Sequence, residues 1–254
     1  SLVVRAGHLL LVPVRPFEEE LRIFPWDGPR VFYGSTRMVK LAAKIREEAD
    51  PLWYDETTYK PSVGGRALGK HYINHDATYT TIDNLLAQAT PEVRGEVFVR
   101  PDADLKAFIG QVIDLQDAEK RFSQWSNGWA GFDRSLPVVI APVKEILQEA
   151  RVWMVDGEPV AAAMYRSCNR RVSAALDLEN EDQRSLVEFA REQDKTLSPM
   201  LGQVYVLDIA QVGTAGAREM KVVEINSFHA SGFYQAACVL PVLRAVSDHV
   251  AKNY

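Results

Sequence analysis

Cysteine is nearly absent from this chain: the 254 residues include two, Cys168 and Cys238. They show no metal-ligand spacing and need not be paired, so a reducing compartment, the cytoplasm, is the expectation. Basic charge is short as well. Lys and Arg number 29 against 34 Asp and Glu, a net charge of −5. No overall basic field invites nucleic acid. Long apolar runs are also missing. The longest, LLLVPV at residues 9–14, falls far short of the roughly 20 residues that a helix needs to cross a bilayer, so no membrane partner is expected. SLVVRAGHLLLVPV lacks a basic start followed by a clean apolar core and a cleavage site, and no signal peptide is read there. Repeats and low-complexity tracts are absent, as is any Ser/His/Asp or Cys/His arrangement for nucleophilic catalysis. What remains is 47% hydrophobic and 25% charged, an ordinary composition for a globular protein long enough to bury a sizeable core.

The chemistry concentrates near the C-terminus. In VVEIN, Glu224 and Asn226 stand two residues apart in a β-branched run, so on a strand they share a face. Asp208 lies in a second run, VYVLDIA, with Gly213 and Gly216 in the connection. Paired as an antiparallel ribbon, the two runs put Asp208, Glu224 and Asn226 on one face. A lone E-x-N on a strand is ordinarily a solvated polar face. Here the acidic groups sit among Val, Ile and Leu, where a carboxylate is costly unless paired or metal-bound. Three oxygen donors without Cys or His suit a hard cation, Mg2+.

Residues 9–14 read as a strand ended by Pro16, and residues 31–34 as another. Ser35 is placed to cap a helix through TRMVKLAAKIREEA, and LWYD at 52–55 follows as a third strand. Residues 57–69, rich in Gly and turn formers, are expected to be irregular. Residues 81–89 read as a helix stopped by Pro91. VFVRP reads as a strand closed by proline. RVWMVDGEPVAAAMYR is a hairpin whose Asp156-Gly157 pair favours a type I′ turn. Residues 182–193 have helical period, with Leu186, Val187, Phe189 and Ala190 on one face. The C-terminal stretch reads as a helix interrupted near Pro241. The order is a small α/β lobe over residues 1–94, then an antiparallel α+β region over 95–254.

That order resembles the ATP-grasp superfamily. It is most similar to a small clade, frequent in phages and bacteria, in which an arginine replaces the usual phosphate-binding strand lysine. The anchors are VFYGS, HYINHDA, VFVRPDADLKAFIG, the hairpin ending in YR, VYVLDIA and VVEINSFHASGFY. The resemblance implies an α+β fold in which two subdomains hold ATP between them. It implies that Arg100 takes the place of the strand lysine and that Lys106 lies in the phosphate-covering loop. It puts the adenine edge at Ile140, Ala141 and Pro142, with Lys144 or Glu145 reaching the ribose. Arg151 and Arg166 bracket the hairpin, Arg166 stabilising charge on the transferring phosphoryl group and Glu149 partnering Arg151. Asp208, Glu224 and Asn226 match the superfamily's magnesium positions. His229 and Ser231 fall near the second substrate, while His71, Asn74, His75 and Asp76 form a structural turn. The implied activity is an ATP- and Mg2+-dependent carboxylate–amine ligase, with Arg166 and Lys106 as catalytic groups and an acylphosphate intermediate. A phosphotransferase on the same fold and a non-catalytic nucleotide-binding module are the alternatives.

Overall fold

The computed structural model describes residues 2–5, 8–11, 29, 31–45, 51–89, 95–103, 107–126, 133–167, 170–176, 179–214 and 217–254. The strands of these residues form three antiparallel sheets. The first consists of β1 (Leu2–Arg5), β2 (His8–Leu11) and β3 (Val31–Tyr33), ordered β2-β1-β3. Helix α1 (Thr36–Ile45) follows β3. The remainder of its expected span, residues 46–49, lies outside the described residues, as do residues 12–14 of the expected first strand and the Pro16 expected to end it.

Two expectations fail here. Residues 52–55 form no strand. The apolar run is buried at Trp53, but its backbone is satisfied by side chains. Trp53 N donates to His229 Nε2 at 2.9 Å, and Trp53 O accepts from Tyr59 Oη at 3.2 Å and Ser227 Oγ at 3.3 Å. Residues 57–69 are not irregular either, because α2 (Pro61–Leu68) runs through them. Pro61 sits in its first turn, where the missing N–H leaves no bond unmade. Gly64 faces the neighbouring sheet so closely that a Cβ would lie 2.7 Å from Ile225 Cδ1. The glycines that suggest a loop are there to let helix and sheet approach.

The second sheet contains β4 (Thr78–Thr81), β5 (Glu96–Pro101), β6 (Gln111–Asp114) and β7 (Pro137–Pro142), ordered β4-β7-β5-β6. Helices α3 (Ile82–Gln88) and α4 (Ala118–Ser126) belong to this unit. Ile82, Leu85, Val99, Phe122 and Val138 form its core. Position 94, the expected lobe boundary, lies between α3 and β5, and the sheet draws strands from both sides of it.

The third sheet is built from β8 (Ile146–Val155), β9 (Glu158–Ser167), β10 (Arg170–Ala175), β11 (Val204–Thr214) and β12 (Ala217–Ser227), ordered β10-β9-β8-β11-β12. The β8–β9 hairpin turns on Asp156 and Gly157, with φ of 53° and 80°, the pair of left-handed residues that a type I′ turn requires. Helix α5 (Glu181–Leu201) starts at the Asn180 cap and runs past Gln193, with Pro199 in its last turn. It covers one face of the sheet: Leu186, Ala190 and Leu197 pack with Val152, Met154, Leu207 and Ile209. Helix α6 (Val239–Asn253) covers part of the other face, where Val242 and Val246 meet Trp153 and Val206. Pro241 does not interrupt α6. It lies in the first turn, whose N–H groups have no partners within the helix. The rest of that face is polar and carries the site.

Candidate active site

Strand alternation sets Asp208 against Arg151 on β8 and Glu224 on β12. Arg151 Nε and Nη2 grip both oxygens of Asp208 at 2.8 Å each. Its Nη1 donates to Gly232 O at 3.1 Å, and its guanidinium lies 4.6 Å from the centroid of the Tyr234 ring. The pair is buried, with side-chain exposures of 6% and 4%, so neither charge is left to water. Asn226 Nδ2 donates to Asp208 Oδ2 at 3.1 Å. Across from this group, Arg100 Nη2 on β5 donates to Glu224 Oε1 at 2.5 Å, an ion pair that ties the four-stranded sheet to the five-stranded one. Both arginines stay cationic. Burial opposes their charge, but Glu224 beside Arg100 and Asp208 beside Arg151 more than offset it.

Two bulges enrich this face. Between Glu149/Arg166 and Ala150/Met164 the β8–β9 register slips by one residue, so Tyr165 and Arg166 both reach the polar side. Tyr165 Oη donates to Glu149, and Arg166 Nη1 stands 3.8 Å from Glu149 Oε2. Burial, with Asp208 nearby, pushes the Glu149 carboxyl up to about 8. The second bulge falls at Val223 on β12, and Val223 joins Glu224 in the wall of a cavity.

That cavity, of about 890 Å³, lies between the two larger sheets. Its volume suits a ligand of nucleotide size. The four-stranded sheet contributes Phe98, Arg100 and Val112, and the five-stranded sheet contributes Glu149, Arg166, Val223 and Glu224. Residues 142–146, which join β7 to β8, close one side.

Of the residues singled out from sequence for the nucleotide and the metal, the cavity brings together Arg100, Pro142, Lys144, Glu145, Arg166 and Glu224, with Glu149 beside Arg166. Asp208, Arg151 and Asn226 stand behind Glu224, linked through the contacts above. Ile140 and Ala141 lie within β7, where Ile140 pairs with both Thr78 and Val99 and Ala141 pairs with Phe98. Strand pairing engages Ile140 on both sides and Ala141 on one, and the cavity wall begins one residue later. Lys144 Nζ donates to Asp76 Oδ1 at 2.5 Å. Lys106 lies outside the described residues.

Some placements differ from the reading of the sequence. Glu149 partners Tyr165 and Arg166, while Arg151 is taken by Asp208. His229 does not face the cavity. It is fully buried, its Nδ1 donating to Phe32 O at 2.5 Å and its Nε2 accepting from Trp53 N. Ser231 is buried with its Oγ on Ser227 O at 2.6 Å. Asn74 is more than a turn residue, since it lines the cavity. Tyr165 and Tyr234 were not singled out. A strict two-residue alternation puts Tyr165 on the face opposite Arg166, and the bulge is what moves it.

Comparison with known proteins identifies the fold that carries this face and cavity. The model of an ATP-grasp domain family, family 3 of its clade, matches residues 38–246, and the chain belongs to that family. Its fold is the α+β ATP-grasp fold. No curated protein matches the chain. Among solved structures, it is similar to a RimK domain protein ATP-grasp from Sphaerobacter thermophilus, at 13% identity and a TM-score of 0.60, over 89% of this chain and 82% of that one. It is also similar to D-alanine–D-alanine ligase from Bacillus anthracis, at 13% identity and a TM-score of 0.51, over 76% of this chain and 67% of that one. D-cycloserine synthetase DcsG aligns at 16% identity and a TM-score of 0.50, over 84% of this chain and 77% of that one. At these identities the likeness is one of fold. Among the described residues, no helix is long and apolar enough to cross a membrane.

Proposed function

We propose that this protein is an ATP- and Mg2+-dependent carboxylate–amine ligase that works through an acylphosphate. The observation that carries this reading is the Arg100–Glu224 pair at the back of a nucleotide-sized cavity, with Arg166 on the same wall. The apolar side chains of Phe98, Phe108, Val112 and Ile146 line a part of the cavity suited to a purine ring. The backbone of residues 142–146 offers polar groups to its edge, and Lys144 is placed for the ribose.

Arg100 is placed to exchange the Glu224 carboxylate for phosphate oxygens, which a guanidinium can engage in bidentate fashion. Lys106, which the resemblance assigns to the phosphates, is the second cation of this reading. The donor set of Asp208, Glu224 and Asn226 is all oxygen and lies on one face, which fits Mg2+. Arg151 and Arg100 neutralise the two carboxylates. When bound, Mg2+ offsets charge on the phosphate oxygens.

A substrate carboxylate oxygen attacks the γ-phosphorus, the bond to the β-phosphate oxygen breaks, and ADP leaves. The amine nitrogen then attacks the acyl carbon, phosphate departs, and the nitrogen loses a proton. Arg166 stabilises charge on the transferring group, and Glu149 with Tyr165 holds Arg166 in place. The names D-alanine–D-alanine ligase and D-cycloserine synthetase speak of those two proteins, and the acceptor of this one is a separate question.

Glu224→Gln tests the assignment. It keeps the shape of the side chain and removes the charge shared by Arg100 and the metal. ATP-dependent ADP release in the presence of a metabolite pool is expected to vanish, with an unchanged circular dichroism spectrum. ADP release at the wild-type rate would overturn the metal assignment. Mass spectrometry of the products separates a ligase, which yields an amide, from a phosphotransferase, which yields a phosphoester.

A further inference from the structure

The polar face of the five-stranded sheet does not end at Arg166. On the edge strand β10, Arg171 lies directly opposite Arg166. Val172 packs on the α5 side with the core, which leaves Arg171 on the cavity side and Arg170, paired with Ser167, on the other. Both Arg170 and Arg171 are exposed. Two like charges directly opposite on an antiparallel pair destabilise it, and one of these two, Arg166, lines the cavity.

The surroundings tie this edge strand to the site. Ser173 Oγ donates to Tyr234 O at 2.5 Å, and Gln235 Nε2 donates to Ser173 O at 3.3 Å. These bonds fasten the segment after β12 onto the edge strand. The Tyr234 ring stacks on Tyr165 with centroids 4.7 Å apart and supports Arg151 from below. A chain of contacts therefore leads from Asp208 through Arg151 and the rings of Tyr234 and Tyr165 to Glu149 and Arg166, which Arg171 faces across the strand pair.

We propose that Arg171 binds a second anionic group of the carboxylate substrate, so that the substrate is a dicarboxylate whose other carboxylate reacts beside Arg166. This rests on the ligase reading above. Adjacent strands lie roughly 5 Å apart, which roots the two arginine side chains close enough for one short diacid to reach both. Such an anion would relieve the repulsion between Arg166 and Arg171, and a carboxylate accepts well from a planar guanidinium.

Arg170 is a built-in control, the same residue type one position away on the opposite face. The wild-type protein is loaded with Mg2+ and a non-hydrolysable ATP analogue, and the loading is verified by calorimetry. It is then treated with phenylglyoxal, and labelling of Arg170 and Arg171 is read by mass spectrometry. Saturating glutarate is expected to slow labelling of Arg171 about threefold or more through direct occupancy of its guanidinium. Valerate, with the same chain length and one carboxylate, is expected to leave it unchanged, and neither acid should affect Arg170. Equal protection by both acids, protection of both arginines, or no protection in the analogue-loaded protein would overturn the proposal. Arg171→Ala should keep the affinity for the analogue within about twofold, since an exposed group remote from the phosphates adds little to their binding. A large loss would assign Arg171 to the nucleotide instead. Failure of the analogue to bind the wild-type protein at all would count against the ATP site itself, and so is distinguishable from failure of the dicarboxylate assignment.

Discussion

His229 shows what a single residue's position cannot reveal from sequence. Three residues after Asn226 in a loop, it reads as a group facing a substrate. Its actual partners, Phe32 and Trp53, lie almost two hundred residues away in sequence, and no spacing rule points to them. The Trp53 ring stacks on the imidazole at 5.4 Å, so His229 pins the N-terminal region to the end of β12. In this arrangement only the neutral ring fits, because Nε2 must accept while Nδ1 donates. Burial holds its pKa down to about 4, from an ordinary value of 6.5. The unfolded chain therefore takes up the proton first as pH falls. The stability contributed by neutral His229 is complete above about pH 6.5 and is lost as pH drops towards 4, a loss of about 3 kcal/mol. Glu149, whose carboxyl is pushed up to about 8, contributes the opposite slope over this range, so the His229 loss is read as a difference. In urea denaturation between pH 7.5 and 4.5, His229→Gln should lose less stability, or gain more, than wild type. An equal change in the variant would place the titrating group elsewhere. By contrast, Asp208, Glu224 and Asn226 were legible as a group because the two-residue period of a strand is local.

At the scale of elements, the strands and the β8–β9 hairpin follow from runs and turns that the sequence displays directly. The bulges at Tyr165 and Val223 do not, since each depends on the partner strand. Helix α2 was hidden for a related reason. Gly64 and Gly65 lower helix propensity, yet Gly64 meets Ile225 of β12 and Gly65 meets the Tyr72 ring and the Tyr79 hydroxyl, neighbours that local sequence cannot show. This packing makes an asymmetric prediction for Gly64. Alanine would gain about 1 kcal/mol of helix propensity. Its Cβ would meet only the tip of Ile225, which can turn aside. The two effects should nearly cancel. Leucine must push into the Val222, Ile225 and Leu68 core, and overpacking of this kind costs roughly 1–3 kcal/mol. Denaturant midpoints of the two variants measure the difference. A leucine variant as stable as wild type would show that α2 does not press on β12 as closely as described.

For the whole molecule, the placement of charge matters more than its sum. The net charge of −5 argues against a polyanionic partner, yet Arg100, Arg151, Arg166 and Arg171 gather on and around one cavity. The resemblance in motif order led to that cavity, while its exact wall, starting at Pro142 and including Asn74, needed the three-dimensional arrangement. Between the two larger sheets the contact at the back of the cavity is the Arg100–Glu224 pair, a bond that incoming phosphates compete for. Nucleotide binding should therefore couple the sheets by replacing one ion pair with a ligand that both sheets touch. Ligand at 100 times its Kd stabilises the bound form by about 2.7 kcal/mol, and amide exchange should slow wherever that stabilisation reaches. With Mg2+ and a non-hydrolysable ATP analogue, we expect slower exchange in residues 96–101 and 107–114 of one sheet and in 146–151 and 220–227 of the other. Exchange in the β1–β2 hairpin should not change. Such closure would also keep water from an acylphosphate. Slowing in one sheet alone would mean that the nucleotide sits on that sheet without bridging to the other. Protection confined to the first ninety or so residues would remove the nucleotide from this cavity altogether.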